Sequence, residues 1–482
     1  MRGIPAACDL AAQQIDCGGL ISYPIQSNPK RERNSSDCVP VFTRHTERKS
    51  VISCHGVIPL TIHVVRAGET LSAIAAEYGV DAGRLAADNA VTQGLATGQT
   101  LVVRVPSQTH RVREGETLTG IASRHGISVR TLWRRNWPLA GGDNLYPGQT
   151  LVLSYRDERP LGNAVFNGYS YPHINAELLS AQLPYLTYLS PFTYGIGADG
   201  GLLELNDWSM RTAARRHGTA SLLHLSTLTE DGAFNTARGA LVLTDPDAQE
   251  RLIRDVLARV DETSAAGVDV DFEYLPEDLG AAYAAFLGRL RGELRTRRKF
   301  LWAALAPKVR ADQPGILYEA HDYAAIGAAA DAVLLMTYEW GYTAGPPMAV
   351  APLPNVRSVL NYAVTEMDPG QIFLGVPNYG YDWTLPFVRG VTRARSISNQ
   401  RAIQLASEYN IAIQFDESAK SPYFHYTDAF GAVHEVWFED ARSMAAKLRL
   451  IDEYGLQGGG VWNLMRPFSQ IWLLADSLYG IQ

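Results

Sequence analysis

The sequence predicts an α/β protein built on a (β/α)8 TIM barrel, with a small α+β insertion between strands 7 and 8 and two small βααβ modules ahead of it. Three observations carry that expectation. A motif in the first third of the chain repeats after 47 residues. Eight apolar, strand-like runs alternate with helical patterns across residues 163–465. One of those runs places a carboxylate at every second position.

At 482 residues the chain is longer than one compact domain. Hydrophobic residues make up 46% and charged residues 19%, ordinary globular proportions that argue against a disordered or fibrous chain. The formal net charge of −7 leaves no basic excess to neutralise phosphates. A nucleic-acid partner is therefore disfavoured, and an uncharged or mildly charged polymer fits better. No apolar run approaches the roughly 18 residues that would cross a bilayer, so no membrane insertion is expected.

All four cysteines (Cys8, Cys17, Cys38, Cys54) fall in the first 54 residues, so the body is expected to fold without disulfides or thiolate-bound metal. If that segment were exported they could pair in three ways, and the sequence does not choose among them. Residues 1–57 carry neither a helical nor a strand period. They read as an unstructured leader or as upstream sequence mis-assigned to the chain, and the missing pattern favours the second, with a natural start near Val57. Met1 and Arg2 are followed by Gly, Pro, Cys and Asp residues rather than an apolar stretch, so no secretory signal peptide is expected.

The repeat runs from His63 to Ser72 (His-Val-Val-Arg-Ala-Gly-Glu-Thr-Leu-Ser) and again from His110 to Thr119 (His-Arg-Val-Arg-Glu-Gly-Glu-Thr-Leu-Thr). Each copy continues with Ile-Ala, a Gly (Gly79, Gly126) and an Asn (Asn89, Asn136), and closes on Gly-Gln-Thr-Leu-Val at Gly98–Val102 and Gly148–Val152. The pattern is strand, helix, helix, strand. Thr70 and Thr117 stand where an N-cap side chain satisfies the free N–H groups of the first helix. Gly79 and Gly126 stand where a left-handed residue ends it. Residues 60–105 and 108–154 thus resemble two LysM modules over nearly their whole length. The resemblance implies binding of N-acetylglucosamine polymers in a shallow groove between the first strand–helix loop and the loop before the last strand. The residues it implicates are Gly68, Thr70 and Leu71 in the first copy, and Gly115, Thr117 and Leu118 in the second. A paired structural spacer without ligand is the alternative.

A polar linker, Ser154–Arg159, leads to residues 160–482. Strand candidates there are Ala164–Tyr169, Tyr185–Phe192, Ala220–Leu225, Val268–Tyr274, Phe300–Ala306, Ala332–Tyr338, Ile372–Asn378 and Gly459–Leu464, with amphipathic stretches such as Ala248–Ala265 and Leu279–Arg297 between them. A doubly wound open sheet is the rival, but no GxGxxG or GxxxxGK sequence follows an early strand. In a (β/α)8 barrel the chemistry collects at the C-terminal strand ends. In the fourth run, period-two alternation puts Asp269, Asp271 and Glu273 on one face and Val268, Val270, Phe272 and Tyr274 on the other. Apolar side chains face the surrounding helices, so the three carboxyls are expected to point into the barrel. Like charges that close resist joint ionisation, and the outermost, Glu273, can keep its proton near neutral pH as a general acid requires. An edge strand with a solvated acidic face is the bland alternative.

Four separated motifs now resemble glycoside hydrolase family 18. Its D-x-x-D-x-D-x-E pattern is met by Ala266–Glu273, with Ala266 in place of the first Asp. Its strand-six M-x-Y-D is met by Met336-Thr337-Tyr338-Glu339, with Glu339 in place of Asp. Gly375–Gly380 and Gly458–Trp462 resemble the seventh and eighth strand ends. The stretch 391–440 is too long for a simple connection and resembles the α+β insertion of many members; a loop of structural value only is the alternative. Its elements are expected as a helix at Asn399–Tyr409 and strands at Ile411–Phe415, Tyr423–Tyr426 and Val433–Phe438.

The resemblance implies retaining hydrolysis in which the substrate's own 2-acetamido oxygen is the nucleophile. Glu273 would be acid and then base, Asp271 would hold the acetamido N–H, and Asp269 would set the charge on Asp271. Tyr338 would steady the acetamido oxygen and Trp462 would stack beneath the sugar, with Glu339, Asn378 and Tyr379 completing the substrate-binding set. No metal-ligand cluster is visible and no cofactor is expected. The absent signal peptide, the paired modules and the segments Tyr185–Gly201 and Leu222–Asn235 further resemble bacterial spore cortex-fragment-lytic N-acetylglucosaminidases. That implies peptidoglycan as partner, cleavage after N-acetylglucosamine during germination, and placement in the spore cortex or coat region from the mother-cell cytoplasm. A chitinase and a non-catalytic wall-binding protein are the alternatives.

Overall fold

The computed structural model describes residues 61–156, 160–229 and 234–482. The leader at 1–57 lies outside them, as do residues 157–159 of the linker. Eight parallel strands form the barrel: β1 (Gly162–Ser170), β2 (Tyr188–Pro191), β3 (Ala220–Ser226), β4 (Gly267–Asp271), β5 (Phe300–Leu305), β6 (Ala332–Leu335), β7 (Ile372–Pro377) and β8 (Gly458–Trp462). Each pairs with the next, and β8 pairs with β1 to close the ring. Each apolar run of the sequence overlaps one of these strands. The runs at β4 and β6 overshoot, because the chain leaves the sheet after Asp271 and Leu335 to enter the cleft.

Alternation sorts the barrel's two faces. Tyr169, Leu222, Trp302, Leu334 and Phe373 fill the interior. Val268 and Val270 face outward and are fully buried against the helices. The helix Pro246–Thr263 shows why these connections fold locally. Asp245 accepts from the N–H groups of Asp247 and Ala248, Pro246 occupies the first turn, and Ala248, Leu252, Val256 and Val260 form the buried stripe.

Each module is a two-stranded antiparallel ladder with two helices. The first pairs Thr61–Val64 with Thr100–Val103, and the second pairs Pro106–Arg111 with Thr150–Tyr155. Thr70 and Thr117 cap the first helices, accepting from Ala73 N and Gly120 N. The sequence places Ser154 and Tyr155 in a polar linker; both belong to the last strand instead. Tyr155 is buried beneath the Arg104 guanidinium and accepts from Arg84 Nη2 at 2.8 Å.

The modules pack onto the catalytic body. Gln470 Nε2 donates to Thr100 O at 2.6 Å and to Asn89 Oδ1 at 3.1 Å, and Arg104 pairs with Asp476 at 3.0 Å. Ala96 is enclosed by Ile397, Ala402 and Leu405 of the insertion. In the second module Arg130 Nε donates to Pro184 O at 2.9 Å, and His217 Nε2 lies 2.9 Å from Gly141 O. The insertion is a five-stranded antiparallel sheet ordered Arg395–Ile397, Gly380–Leu385, Val433–Trp437, Ser421–Thr427, Gln414–Asp416, with one helix, Asn399–Glu408. It therefore begins at Gly380, ahead of residue 391. The reason is register: Tyr381–Leu385 pairs with Val433–Trp437.

Candidate active site

A cavity of about 630 Å³ opens at the C-terminal strand ends, lined among others by Tyr169, Asp271, Glu273, Tyr338, Glu339 and Trp462. The acidic ladder is inside the barrel. Asp269, fully buried, sits in register between His224 of β3 and Trp302 of β5. A relay fixes it: Asn167 Nδ2 donates to Ser190 Oγ at 3.0 Å, and Ser190 Oγ donates to Asp269 Oδ2 at 3.1 Å. Burial pushes its carboxyl up to about 6, against the Ser190 hydrogen bond that pulls it down. Asp271 is driven well above the usual carboxylate range by burial, then by the charges of Glu273 and Asp269.

Glu273 lies beyond the strand end. Burial, and after it the charge of Glu339, raises its carboxyl to about 7. Two contacts hold this turn. His321 Nε2 lies 3.0 Å from Phe272 O while its Nδ1 accepts from Ala306 N at 2.9 Å, so the ring is neutral and Nε2–H is the donor. Burial depresses its titration to about 4, which agrees. Thr236 Oγ1 donates to Tyr274 O at 3.2 Å. Tyr274, expected on the outer apolar face, adopts φ +56° and lines the cavity instead. Alternation fails there because the strand has already ended.

Tyr338 lines the cavity, its ring lying over β7; a Cβ on Gly375 would come within 2.9 Å of it, so glycine makes room. Glu339 turns into the cleft with φ +68° and accepts from Tyr379 Oη at 2.8 Å and Tyr381 Oη at 3.0 Å. Trp462 packs on Phe192, Tyr169 and Tyr171 with centroids 4.9, 5.9 and 6.2 Å away, which leaves it partly exposed in the floor.

Two expected substrate contacts are not at the cavity wall. Asn378 is buried and donates to Asn463 O and Arg466 O, both at 2.9 Å, which fastens the segment after Trp462. Tyr379 is buried and its hydroxyl serves Glu339. In the modules, Gly68 and Gly115 are exposed with positive φ, as the turn requires, and Thr70 and Thr117 act as caps. Leu118 is 3% exposed and Leu71 packs on its module core, because each opens the apolar stripe of its helix. The shared spelling of the turn in the two repeats has a local cause: His63 bridges to Glu69 at 2.9 Å and His110 to Glu116 at 2.6 Å.

Sequence reasoning missed His224, Phe192 and the Arg389/Arg393 pair, all cavity-lining. His224 is a polar residue at the inward register of β3, a signal that alternation could have given. Burial lowers it to about 3, so it is neutral where its Nε2 stands 3.8 Å from Asp271. Among the described residues no cluster of three His, Cys, Asp or Glu side chains is placed to hold a metal.

A closed eight-stranded barrel with inward carboxyls at the end of β4 defines a class, and comparison with known proteins agrees. The model of glycosyl hydrolases family 18 matches residues 231–466, and the LysM domain model matches residues 63–104 and 110–154. The chain belongs to glycoside hydrolase family 18 and is a glycoside hydrolase carrying two LysM domains. Among its relatives is the cortical fragment-lytic enzyme of Bacillus subtilis (strain 168), 39% identical over 430 residues, covering 88% of this chain and 99% of that one. The Bacillus anthracis enzyme of the same name is 33% identical and covers 86% and 97%. The crystal structure of the Bacillus megaterium QM B1551 spore cortex-lytic enzyme SleL superposes with a TM-score of 0.73 at 36% identity, over 87% of this chain and 98% of that one.

Proposed function

We propose that this glycosidase cleaves the β-1,4 bond after N-acetylglucosamine in spore cortex peptidoglycan fragments during germination, with retention and with the substrate's acetamido group as nucleophile. Relatives named for cortical fragments, matched over 86–88% of this chain, support the substrate. One observation carries the chemistry: Glu273, raised to about 7, faces the cleft above a second buried carboxyl, Asp271.

In this reading the protonated Glu273 gives its proton to the glycosidic oxygen as the C1–O bond breaks. The acetamido carbonyl oxygen attacks C1 from the other side and closes an oxazolinium ring. Asp271 accepts the acetamido N–H and balances the positive charge, while Asp269 acts only through Asp271. Tyr338 steadies the acetamido oxygen and Trp462 supports the ring from below. Water then opens the oxazolinium as Glu273 takes its proton. Glu339 tunes Glu273 through its charge, and the LysM domains hold the enzyme on N-acetylglucosamine polymer. The natural location is the spore cortex or coat region.

Incubation with cortex fragments and with chitin oligomers, followed by product mass and anomer analysis, tests this. Cortex products ending in N-acetylglucosamine, first released as the β-anomer, are expected. Preference for chitin would make the protein a chitinase, α-anomer release would end the retaining mechanism, and absence of products would leave a wall-binding protein. Glu273→Gln is expected to cost several orders of magnitude in kcat with wall binding intact.

A further inference from the structure

On β3, His224 stands level with the acidic ladder of β4. It pairs in register with Asp269, and its buried ring forms part of the cavity wall. The ring is fixed on three sides. Tyr169 meets it edge-on with centroids 5.5 Å apart, Phe192 lies 4.8 Å away, and Thr193 Oγ1 is 2.7 Å from Nδ1. The other ring nitrogen, Nε2, faces Asp271 Oδ2 at 3.8 Å. The Thr193 contact decides which nitrogen carries the proton. Thr193 Oγ1 also lies 3.0 Å from Tyr194 O and 3.2 Å from His224 O, but both carbonyls already accept a backbone N–H, from Ser226 and Tyr194. Nδ1 is the closest acceptor at 2.7 Å, so the hydroxyl donates there and Nε2–H points at Asp271.

Asp271 needs such a neighbour. In the proposed mechanism its carboxylate balances the charge of the oxazolinium ring, yet burial, Glu273 and Asp269 all oppose its ionisation. Its Oδ1 has no hydrogen-bond partner among the described residues. A cation beside it would favour the carboxylate but would also repel the positive ring that forms on the substrate. A neutral N–H favours the carboxylate without adding that charge. Burial keeps His224 neutral by lowering its titration to about 3. A side-chain shift of about 1 Å brings Oδ2 into hydrogen-bond range of Nε2.

We infer that His224 is a positioning residue for Asp271: locked by Thr193, its Nε2–H holds Oδ2 and leaves Oδ1 to the acetamido N–H of the substrate. This rests on the acetamido mechanism and deepens it, since it names the group that keeps the Asp271 carboxylate in place.

Three variants of the full chain test it. His224→Phe keeps a ring against Tyr169 and Phe192 but has no N–H. It is expected to lower kcat on the glycan the enzyme cleaves about 10- to 100-fold, with KM within about twofold. His224→Gln restores a neutral N–H donor and is expected to recover most of that loss. Thr193→Val keeps the shape but removes the hydroxyl that sets the tautomer, and is expected to lower kcat about three- to tenfold. Binding without turnover gives the second readout, with the thiazoline analogue of N-acetylglucosamine as a mimic of the oxazolinium ring and N-acetylglucosamine itself as the control. His224→Phe is expected to weaken the thiazoline by about the factor lost in kcat and to leave the plain sugar unchanged. Unchanged kcat in His224→Phe, no recovery in His224→Gln, or an equal loss of both ligands overturns the positioning role. Should His224→Phe fail to fold, Thr193→Val decides: a lower kcat at constant KM supports the role, and an unchanged kcat overturns it. The acetamido mechanism is judged on the unsubstituted enzyme. No preference there for the thiazoline over the plain sugar sinks both readings, whereas that preference beside an unaffected His224→Phe sinks the His224 assignment alone.

Discussion

Where the first LysM domain meets the barrel, polar groups are buried with partners: Gln470 reaches Asn89 and Thr100, and Arg104 reaches Asp476. In the cleft, some buried polar atoms lack them. Asp269 Oδ1 and Asp271 Oδ1 have no hydrogen-bond partner among the described residues, and three neighbouring carboxyls are pushed upward together. The first region gains stability from burial because its hydrogen bonds are made on folding. The second gives stability up, since unpaired buried polar atoms and like charges oppose folding. The difference separates a docking surface from a site prepared for a ligand.

The largest effect expected tests the docking side. Gly98 and Gly148 are equivalent residues of the two repeats, with φ +83° and +89°. A Cβ at Gly98 would meet Ile413 O at 2.1 Å, whereas at Gly148 the nearest atom is Arg111 Nη2 at 3.7 Å. Alanine at either position carries left-handed strain of about 1–2 kcal/mol. Only Gly98→Ala adds overpacking, about 1–3 kcal/mol more. Denaturant midpoints of the two variants measure the gap. Equal losses would mean that the first domain does not rest on the insertion.

Next in size is the cleft. A carboxyl raised from 4.5 to about 7 binds its proton more tightly folded than unfolded. Stability is therefore lost as pH rises from about 4.5 through about 7, and the loss is complete above that window. Glu273→Gln removes the titration, so it is expected to raise stability by about 1–3 kcal/mol at pH 8 and to change little at pH 4. Thermal melts at the two pH values check this; destabilisation at pH 8 would contradict the comparison. Activity has the companion sign, because the acid must be protonated and kcat/KM should fall as pH rises through about 7. Glu339→Gln, which removes the charge that raises Glu273, is expected to move that alkaline limb to lower pH.

How legible these regions are in the sequence follows from the range of the forces that build them. All eight barrel strands were readable as apolar runs, and the inward carboxyls of β4 as alternation, because both depend on neighbours along the chain. Alternation misplaced Tyr274 because β4 stops at Asp271. It could not reveal that Asn378 and Tyr379 are buried behind the cavity wall, holding Trp462's segment and Glu339, since those partners lie 40 or more positions away. The insertion's first strand, Gly380–Leu385, was lost for the same reason: its partners begin at Val433. The docking of the first domain is tertiary throughout, and nothing local announces it.

The smallest effect returns to the two LysM domains, and to a pair of positions that the repeat itself aligns. Two residues before Gly98 stands Ala96, 4% exposed inside the insertion's core; two residues before Gly148 stands Tyr146, 69% exposed. The loop that should form one wall of the sugar groove is thus covered in the first domain and open in the second. A free aromatic face beside such a groove suits a pyranose ring, and losing it is worth about 0.5–1.5 kcal/mol, a few-fold in affinity. Tyr146→Ala is expected to weaken cosedimentation with insoluble peptidoglycan by that factor while the melting temperature stays put. Gly68→Ala, in the covered domain, is expected to leave cosedimentation unchanged while lowering stability through its left-handed φ. If binding falls with Gly68→Ala and not with Tyr146→Ala, the first domain is the anchor and the division of labour between the two repeats is reversed.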